Sequence, residues 1–220
     1  MILRREVVAL LGRAAVCAWP LAARAAMQEL GRNDGSVYVY FFGGYRSTIS
    51  DVDAWGKSLE AKVSGTTAIV FPYPPGASAG DPLAGWGYSQ DVAMHIVARG
   101  NEPCMIIGHS SGCAIANDVA KAALDLGAKN FSLISLDGFR PSPELLSLPG
   151  TTVWSAECNG ARSLNYDALS SCKQFRVYNP KVTGQWPLHF SLVNLNVSDD
   201  YDQITDRYGA CEANTEVLGL

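Results

Sequence analysis

Short apolar runs alternate with stretches of helical periodicity from residue 36 onward. The apolar runs are rich in β-branched and aromatic residues and stop at glycine, proline or aspartate, which is the pattern of buried strands. Gly43 and Gly44 end the first run, and Pro72 ends the second. The six predicted strands are Ser36–Phe42, Thr66–Phe71, Pro103–Ile107, Phe131–Leu136, Thr151–Trp154 and Gln174–Tyr178.

Helical segments are predicted between most of these strands. Strands that alternate with helices favour a doubly wound, mostly parallel sheet of about six strands with helices on both faces. The predicted fold class is therefore α/β. The predicted helices run from a cap at Ser50 to about Val63, from Ser89 to Arg99, from Ala114 to about Leu126 and, more weakly, from His189 onward.

The first 26 residues have the composition of an export signal. Arg4 and Arg5 open a basic start, an apolar stretch follows, and small residues with an A-x-A site end near Ala26. The apolar stretch is too short to span a membrane. The paired arginines resemble bacterial twin-arginine signals, with general secretion as the alternative route. The sequence therefore predicts removal of residues 1–26, a single domain over residues 27–220, and a periplasmic or secreted location.

Composition and charge narrow the class of partner. The chain has 220 residues, of which 48% are hydrophobic and 17% charged, as in globular proteins. Its net charge is −4, and loss of the signal, with four arginines and one glutamate, makes it −7. Such an acidic protein has no electrostatic reason to bind nucleic acid or an anionic membrane. We expect a small-molecule partner, no nucleic acid and no stable membrane insertion; the oligomeric state stays open.

A G-x-S-x-G pentapeptide, Gly108–Gly112, joins the third predicted strand to the third predicted helix. In this context it is typical of a nucleophile elbow, a strained turn that exposes the hydroxyl of Ser110. The first amides of the following helix would face an anion on that oxygen. An ordinary strand-to-helix turn is the alternative. The similar segment Gly87–Asp91 lacks both the closing glycine and the leading strand, so Ser89 is predicted to be a helix N-cap.

A serine nucleophile needs an adjacent base, and the chain contains three histidines. His109 adjoins Ser110 on a turn where neighbouring side chains diverge. His95 falls within a predicted helix, where a half-buried structural role is expected. His189 follows the sixth strand, on the edge where ligands bind in doubly wound sheets, and is therefore the predicted base.

The base in turn needs an orienting carboxylate. Asp137 is preferred, because it directly follows the fourth strand, which is expected to lie beside the elbow strand. Gly138 would permit the tight turn that points this carboxylate inward. Glu157, after the fifth strand, and Asp167, further along that loop, remain alternatives.

A tetrahedral oxyanion needs two amide donors. The N–H of Ser111 is expected to supply one, and that of Gly44 or Tyr45 the other, since glycines let backbone approach a ligand closely. No cluster of histidines and cysteines has metal-ligand spacing, and no phosphate-binding loop is present. We expect neither a metal nor a cofactor.

The chain has six cysteines, one of them in the signal. Cys104 and Cys113 lie in a predicted strand and helix and are expected to be small buried hydrophobes. Cys158, Cys172 and Cys211 lie in polar, loop-like surroundings, where an oxidising compartment allows a disulfide. We predict a bond between Cys158 and Cys172, with Cys211 as an alternative partner.

The elbow at 108–112, the glycine pair at 43–44, a later acid and His189 together resemble the α/β-hydrolase superfamily in the order Ser, acid, His. The resemblance covers roughly residues 36–200. Two early strands and the usual acidic signature before the histidine are missing, which suits the small thioesterase-like and cutinase-like branches. In the thioesterase-like branch the acid can stand where Asp137 does.

The resemblance implies a minimal α/β-hydrolase that cleaves an ester or thioester through an acyl-enzyme. The expected function is thus an exported serine hydrolase of carboxylesterase or thioesterase type. The alternatives are a cutinase-like or lipase-like esterase acting on lipid or polymer esters, and a catalytically silent binding protein with the same fold.

Overall fold

A computed structural model describes residues 37–100, 102–158, 173–179 and 189 of the chain. These residues contain one six-stranded sheet in the order β2-β1-β3-β4-β5-β6, and every neighbouring pair is parallel. The strands are β1 (Val37–Phe42), β2 (Thr66–Phe71), β3 (Cys104–His109), β4 (Phe131–Leu136), β5 (Thr152–Cys158) and β6 (Lys173–Asn179).

Four helices are described between the strands. Short strands joined by helical crossovers bury both faces of a parallel sheet, which explains why the strand sequences are almost continuously apolar. The helices are α1 (Ile49–Lys62), α2 (Ser89–Ala98), α3 (Gly112–Asp125) and the short α4 (Pro143–Leu146).

Alternate residues of β1 show how the two faces are covered. Tyr38, Tyr40 and Phe42 belong to the core that α2 and α3 cover, and all three are fully buried. Phe41 points to the opposite face, where its ring stacks on Trp55 of α1 with centroids 3.9 Å apart. Helices therefore lie on both faces, and the expected α/β class with a doubly wound parallel sheet of about six strands is confirmed.

Most predicted strands agree with the structure to within a residue. β2 and β4 have the predicted bounds, and β1 begins one residue later than predicted. β5 is longer than predicted and continues to Cys158, so Glu157 lies inside the strand, paired with Tyr178 of β6, and not in a loop after it. Cys158 is the last residue of β5, so its backbone is not in a loop as expected.

Two predicted helix caps are also wrong. Thr48, not Ser50, caps α1: its hydroxyl accepts from the amide of Asp51, whose carboxylate accepts from the amide of Thr48. This reciprocal capping box satisfies two amides at once. Ser89 is the first residue of α2 and not its cap, because its hydroxyl instead donates to Asp118 on α3 and accepts from the indole of Trp86.

The order of the strands locates a crevice. The chain moves from β1 to β2 on one side and then returns to place β3 on the other side of β1. Ligands in such sheets bind beyond the carboxyl ends of the strands, where the direction of winding changes. Here that point lies between the end of β1, at Gly43 and Gly44, and the end of β3, at Ser110.

Replacing Thr48 by alanine tests the revised cap. The variant should lose about 1 kcal/mol of unfolding free energy, because an N-cap hydroxyl satisfies an amide that the helix cannot. Ser50→Ala is the matched control and should stay within about 0.5 kcal/mol of the parent. Urea unfolding measures both, and equal losses in the two variants would contradict the assignment.

Candidate active site

Ser110 leaves β3 in a left-handed backbone conformation, with φ 54°. Its amide still donates to the carbonyl of Leu136 at 2.9 Å, so the residue stays attached to β4 while the chain turns into α3. A positive φ is uncommon in residues other than glycine and costs about 1–2 kcal/mol. This is the backbone geometry expected of a nucleophile elbow.

The glycines at both ends of the elbow allow backbone segments to approach closely. A Cβ on Gly108 would lie 2.6 Å from the Cα of Cys113. A Cβ on Gly112 would lie 2.4 Å from the carbonyl oxygens of both Phe42 and Gly43. No side chain fits at either position, so these glycines are what brings α3 against β3 and against the end of β1.

Asp137 follows β4 and is also left-handed, with φ 48°. Asp137 itself thus adopts the left-handed conformation of this turn. Gly138 permits the turn by allowing a close approach, since a Cβ there would lie 1.9 Å from the carbonyl oxygen of Ser110. The loop that carries Asp137 is thus pressed against the elbow itself.

Among the described residues, the non-glycine residues with positive φ are Ser110, Asp137 and Arg46. They follow β3, β4 and β1, so all three lie on loops at the carboxyl edge of the sheet. Strained backbone of this kind persists only where the surroundings enforce it, and it clusters at functional sites. The strain therefore marks the same edge as the crevice.

His189 lies beside Asp137, although 52 residues separate them in sequence. Its Nδ1 is 2.6 Å from Oδ2 of Asp137, and the two side chains are only 4% and 6% exposed. A carboxylate accepts, so Nδ1 of a neutral His189 donates to it and Nε2 is left without a proton. This tautomer is the one that a general base needs.

The other two histidines are buried in different surroundings. His109 packs on His189, and its Nε2 lies 3.0 Å from the main-chain carbonyl oxygen of His189. Burial, with the nearby His189, lowers the pKa of His109 to about 3. His95 on α2 bonds through Nδ1 to the hydroxyl of Tyr40 at 2.7 Å, and burial lowers its pKa to about 4. His95 is more deeply buried than expected.

The loop after β1 closes one side of the elbow. A Cβ on Gly44 would lie 2.8 Å from the Cβ of Ser110, so only a glycine lets this backbone so near the hydroxyl-bearing residue. The side chain of Tyr45 is 44% exposed and meets the ring of Tyr73 edge-on, at a centroid distance of 5.5 Å. Ser111 lies at the N-terminus of α3.

The side chain of Ser111 has a contact that its sequence context did not indicate. Its hydroxyl donates to the carbonyl oxygen of Ala79 at 2.9 Å. The hydroxyl of Tyr73 donates to the carbonyl oxygen of the preceding residue, Ser78, at 2.7 Å. The Gly/Ser/Ala-rich loop after β2 is therefore attached to the elbow, next to the nucleophile position.

Several sequence-based expectations lie outside what is described. Asp167, Cys172, Cys211 and the signal segment 1–26 fall outside the described residues, so the predicted disulfide and export signal stay predictions. The backbone of Glu157 is described within β5. The described part of the chain contains no group of three potential metal ligands, and none of its helices has the length and apolarity needed to cross a bilayer.

Comparisons with known proteins find likenesses to solved structures at low sequence identity. No protein-family model and no curated protein matches the sequence. Lipase B of Aspergillus fumigatus aligns with 67% of the chain at 10% identity and a TM-score of 0.44, and the chain covers 46% of that lipase. The RedJ thioesterase of the prodiginine pathway in Streptomyces coelicolor aligns with 79% of the chain at 15% identity and a TM-score of 0.48, with 90% of the thioesterase covered.

An acetyl xylan esterase is also similar, with 16% identity over 79% of the chain, 98% of the esterase covered and a TM-score of 0.34. Likenesses this remote do not decide an activity. What the protein does is therefore argued from the geometry of its own site.

Replacing Gly138 by alanine tests the close contact between the Asp137 loop and the elbow. Overpacking costs typically 1–3 kcal/mol, and we expect Gly138→Ala to lie at the upper end, about 3 kcal/mol, because the contact is with backbone. Gly80→Ala is the matched control, since nothing lies within 4 Å of a Cβ there. Urea unfolding compares them, and a Gly138→Ala protein as stable as Gly80→Ala would contradict the packing described.

Proposed function

We propose that this protein is a serine hydrolase that cleaves a carboxylic ester or thioester through an acyl-enzyme. The observation that carries the proposal is the buried 2.6 Å contact between Nδ1 of His189 and Oδ2 of Asp137. It lies at the edge of the sheet where Ser110 occupies a strained elbow. A nucleophile, a base and an acid on one edge are the parts that covalent acyl transfer requires.

The proposed chemistry proceeds in two halves. The Oγ of Ser110 attacks the carbonyl carbon of the substrate while Nε2 of His189 takes its proton. The tetrahedral intermediate collapses, the carbon–oxygen or carbon–sulfur bond breaks, and His189 returns the proton to the departing alcohol or thiol. In the second half, water attacks the acyl-serine while Nε2 of His189 takes its proton. His189 then returns that proton to Oγ of Ser110, which releases the acid and restores the free serine.

Asp137 supports both halves. It holds the proton on Nδ1, so that Nε2 is the atom which accepts from Ser110, and it stabilises the imidazolium that forms. Burial of the pair strengthens this interaction, because little water screens the two groups.

The oxyanion is proposed to bind between Ser111 and the Gly44–Tyr45 segment. The amide of Ser111 belongs to the N-terminus of α3, where the helix dipole favours negative charge. The first turn of α3 contains no acidic residue that would oppose it. Gly44, in contact distance of Ser110, supports the assignment of the second donor to the loop after β1.

The chemical class of the ester is a separate question. The loop attached to Ser111 and the exposed ring of Tyr45 are proposed to border the site. Neither of them distinguishes an ester from a thioester substrate. A panel of p-nitrophenyl esters of rising chain length and matching acyl thioesters separates carboxylesterase, thioesterase and lipase-like activity. We further propose that the protein acts in the periplasm or outside the cell, because residues 1–26 are predicted to be an export signal.

Substitution of the nucleophile is the primary test. Ser110→Ala should lose hydrolysis by about 10⁶-fold, as in serine proteases that lack their nucleophile. It should also lose covalent labelling by a fluorophosphonate probe. Ser89→Ala is the control serine and should label normally, because Ser89 lies at the start of α2. Labelling that persists in Ser110→Ala would assign the nucleophile to another residue, whereas a parental protein that never labels would favour the catalytically silent binding protein.

Substitution of the acid tests the triad. Asp137→Asn should lower turnover by about 10⁴-fold, because an amide holds the imidazole of His189 in the wrong tautomer. Glu157→Gln and Asp167→Asn serve as matched controls, with folding checked by circular dichroism. A collapse of activity in either control, beside near-parental turnover in Asp137→Asn, would transfer the role to that other carboxylate.

A further inference from the structure

His109 is the last residue of β3 and lies directly before Ser110. Its side chain is buried against His189, with ring centroids 4.5 Å apart and planes tilted by 39°. Its Nε2 reaches the main-chain carbonyl oxygen of His189 at 3.0 Å, across 80 residues of sequence. The elbow strand therefore contacts the residue that carries the proposed base at two points, its ring and its backbone.

The direction of this hydrogen bond follows from the acceptor. A carbonyl oxygen only accepts, so Nε2 of His109 carries the proton and donates it. With a pKa lowered to about 3 by burial and by His189, His109 is neutral over the whole range in which hydrolases work. A positive charge on His189 during turnover opposes protonation of His109 further. His109 is therefore a constant donor and not a competing base.

We propose that His109 is a positioning residue that holds the backbone of His189 at the distance from Ser110 that proton transfer needs. The inference rests on the proposed function, since it assigns His189 the role of base. His109 does not touch the reacting atoms. It acts through His189, by linking the end of β3 to the segment that carries the base.

The contact with His109 adds to the contact with Asp137, because the two hold different parts of His189. The bond from Nδ1 to Asp137 holds one atom of the imidazole ring and does not reach the main chain of His189. The hydrogen bond from His109 to the main-chain carbonyl of His189 also fixes the backbone from which this side chain extends. Ser110 directly follows His109 in the chain. The side chain of His109 and one peptide unit therefore connect the backbone of His189 to Ser110. A displacement of about 1 Å at such a site costs on the order of 10²-fold in rate.

The test compares His109→Gln with His109→Met. The two side chains have the same length, but only glutamine places an N–H donor where Nε2 stands. We expect kcat of His109→Met to fall on the order of 10²-fold with KM changed far less, and His109→Gln to keep at least about tenfold more turnover. Methionine suits a buried site better than glutamine, so poorer folding does not explain that order; urea unfolding verifies it.

The same two His109 variants, made in a His189→Ala protein, separate a positioning role from general support of the fold. In His189→Ala the carbonyl at residue 189 is retained and the base is gone, so the kcat ratio between the Gln and Met variants should fall to about one. A general structural role would preserve the ratio. Equal turnover of the two variants in the parental background, or a ratio that persists without His189, overturns the inference.

The same experiment distinguishes this inference from the proposed function. If Ser110→Ala is inactive while His109→Gln and His109→Met turn over equally, His109 has no positioning role and the serine hydrolase assignment stands. If Ser110→Ala hydrolyses the substrate as the parent does, the proposed function and this inference both fail.

Discussion

Two neighbouring strands end in the same strained conformation, and the site depends on it. The amide of Ser110 donates to the carbonyl of Leu136, so the register of β3 against β4 holds one residue beyond β3. Ser110 and Asp137 then both turn left-handed, with φ 54° and 48°. Each costs about 1–2 kcal/mol, which the surrounding packing must offset. Both residues directly follow neighbouring strands, at the carboxyl edge of the sheet where the crevice lies.

Close backbone contacts are what stabilise this geometry. Gly112 lets the start of α3 meet the carbonyls at the end of β1, and Gly138 lets the Asp137 loop meet the carbonyl of Ser110. The thiol of Cys113 fills the space beneath the elbow, where it donates to the carbonyl of Gly108 at 3.0 Å. Burial raises the pKa of that thiol to about 12, so it stays protonated and does not compete with Ser110 as a nucleophile.

Much of this arrangement could be predicted from local sequence. Apolar runs that end at proline or aspartate locate β2 and β4 correctly, and the pentapeptide around Ser110 has the strand and helix expected of a nucleophile elbow. The preference for Asp137 followed from the expectation that β4 adjoins β3, which the sheet order shows. Side chains on adjacent parallel strands converge at one edge, so topology places them without detailed contacts.

The errors arise where tertiary contacts outweigh local signals. Ser89 resembles a helix cap, but Asp118 and Trp86 engage its hydroxyl. Glu157 and Cys158 have polar neighbours in sequence, yet pairing with β6 extends β5 through them. Thr48 and Ser50 each have an aspartate three residues later, so the local pattern fits both; in the structure Asp51 completes the capping box on Thr48, and Asp53 pairs with Lys57.

His109 shows the limit of local reasoning most clearly. A histidine next to the proposed nucleophile on a sharp turn was not expected to be the base. Its Nε2 lies within hydrogen-bond distance of the main-chain carbonyl oxygen of a residue 80 positions later. Nothing in the neighbouring sequence encodes that partner, because the contact forms only when the segment that carries His189 reaches the carboxyl edge. The proposed nucleophile and acid thus directly follow strands of the sheet, whereas the proposed base is distant in sequence and is contacted by side chains at the ends of those strands. Asp137 contacts its ring and His109 its main chain, and both lie at the ends of adjacent strands. The rigidity of the β3–β4 pair therefore extends to the one proposed catalytic residue that the sheet does not carry.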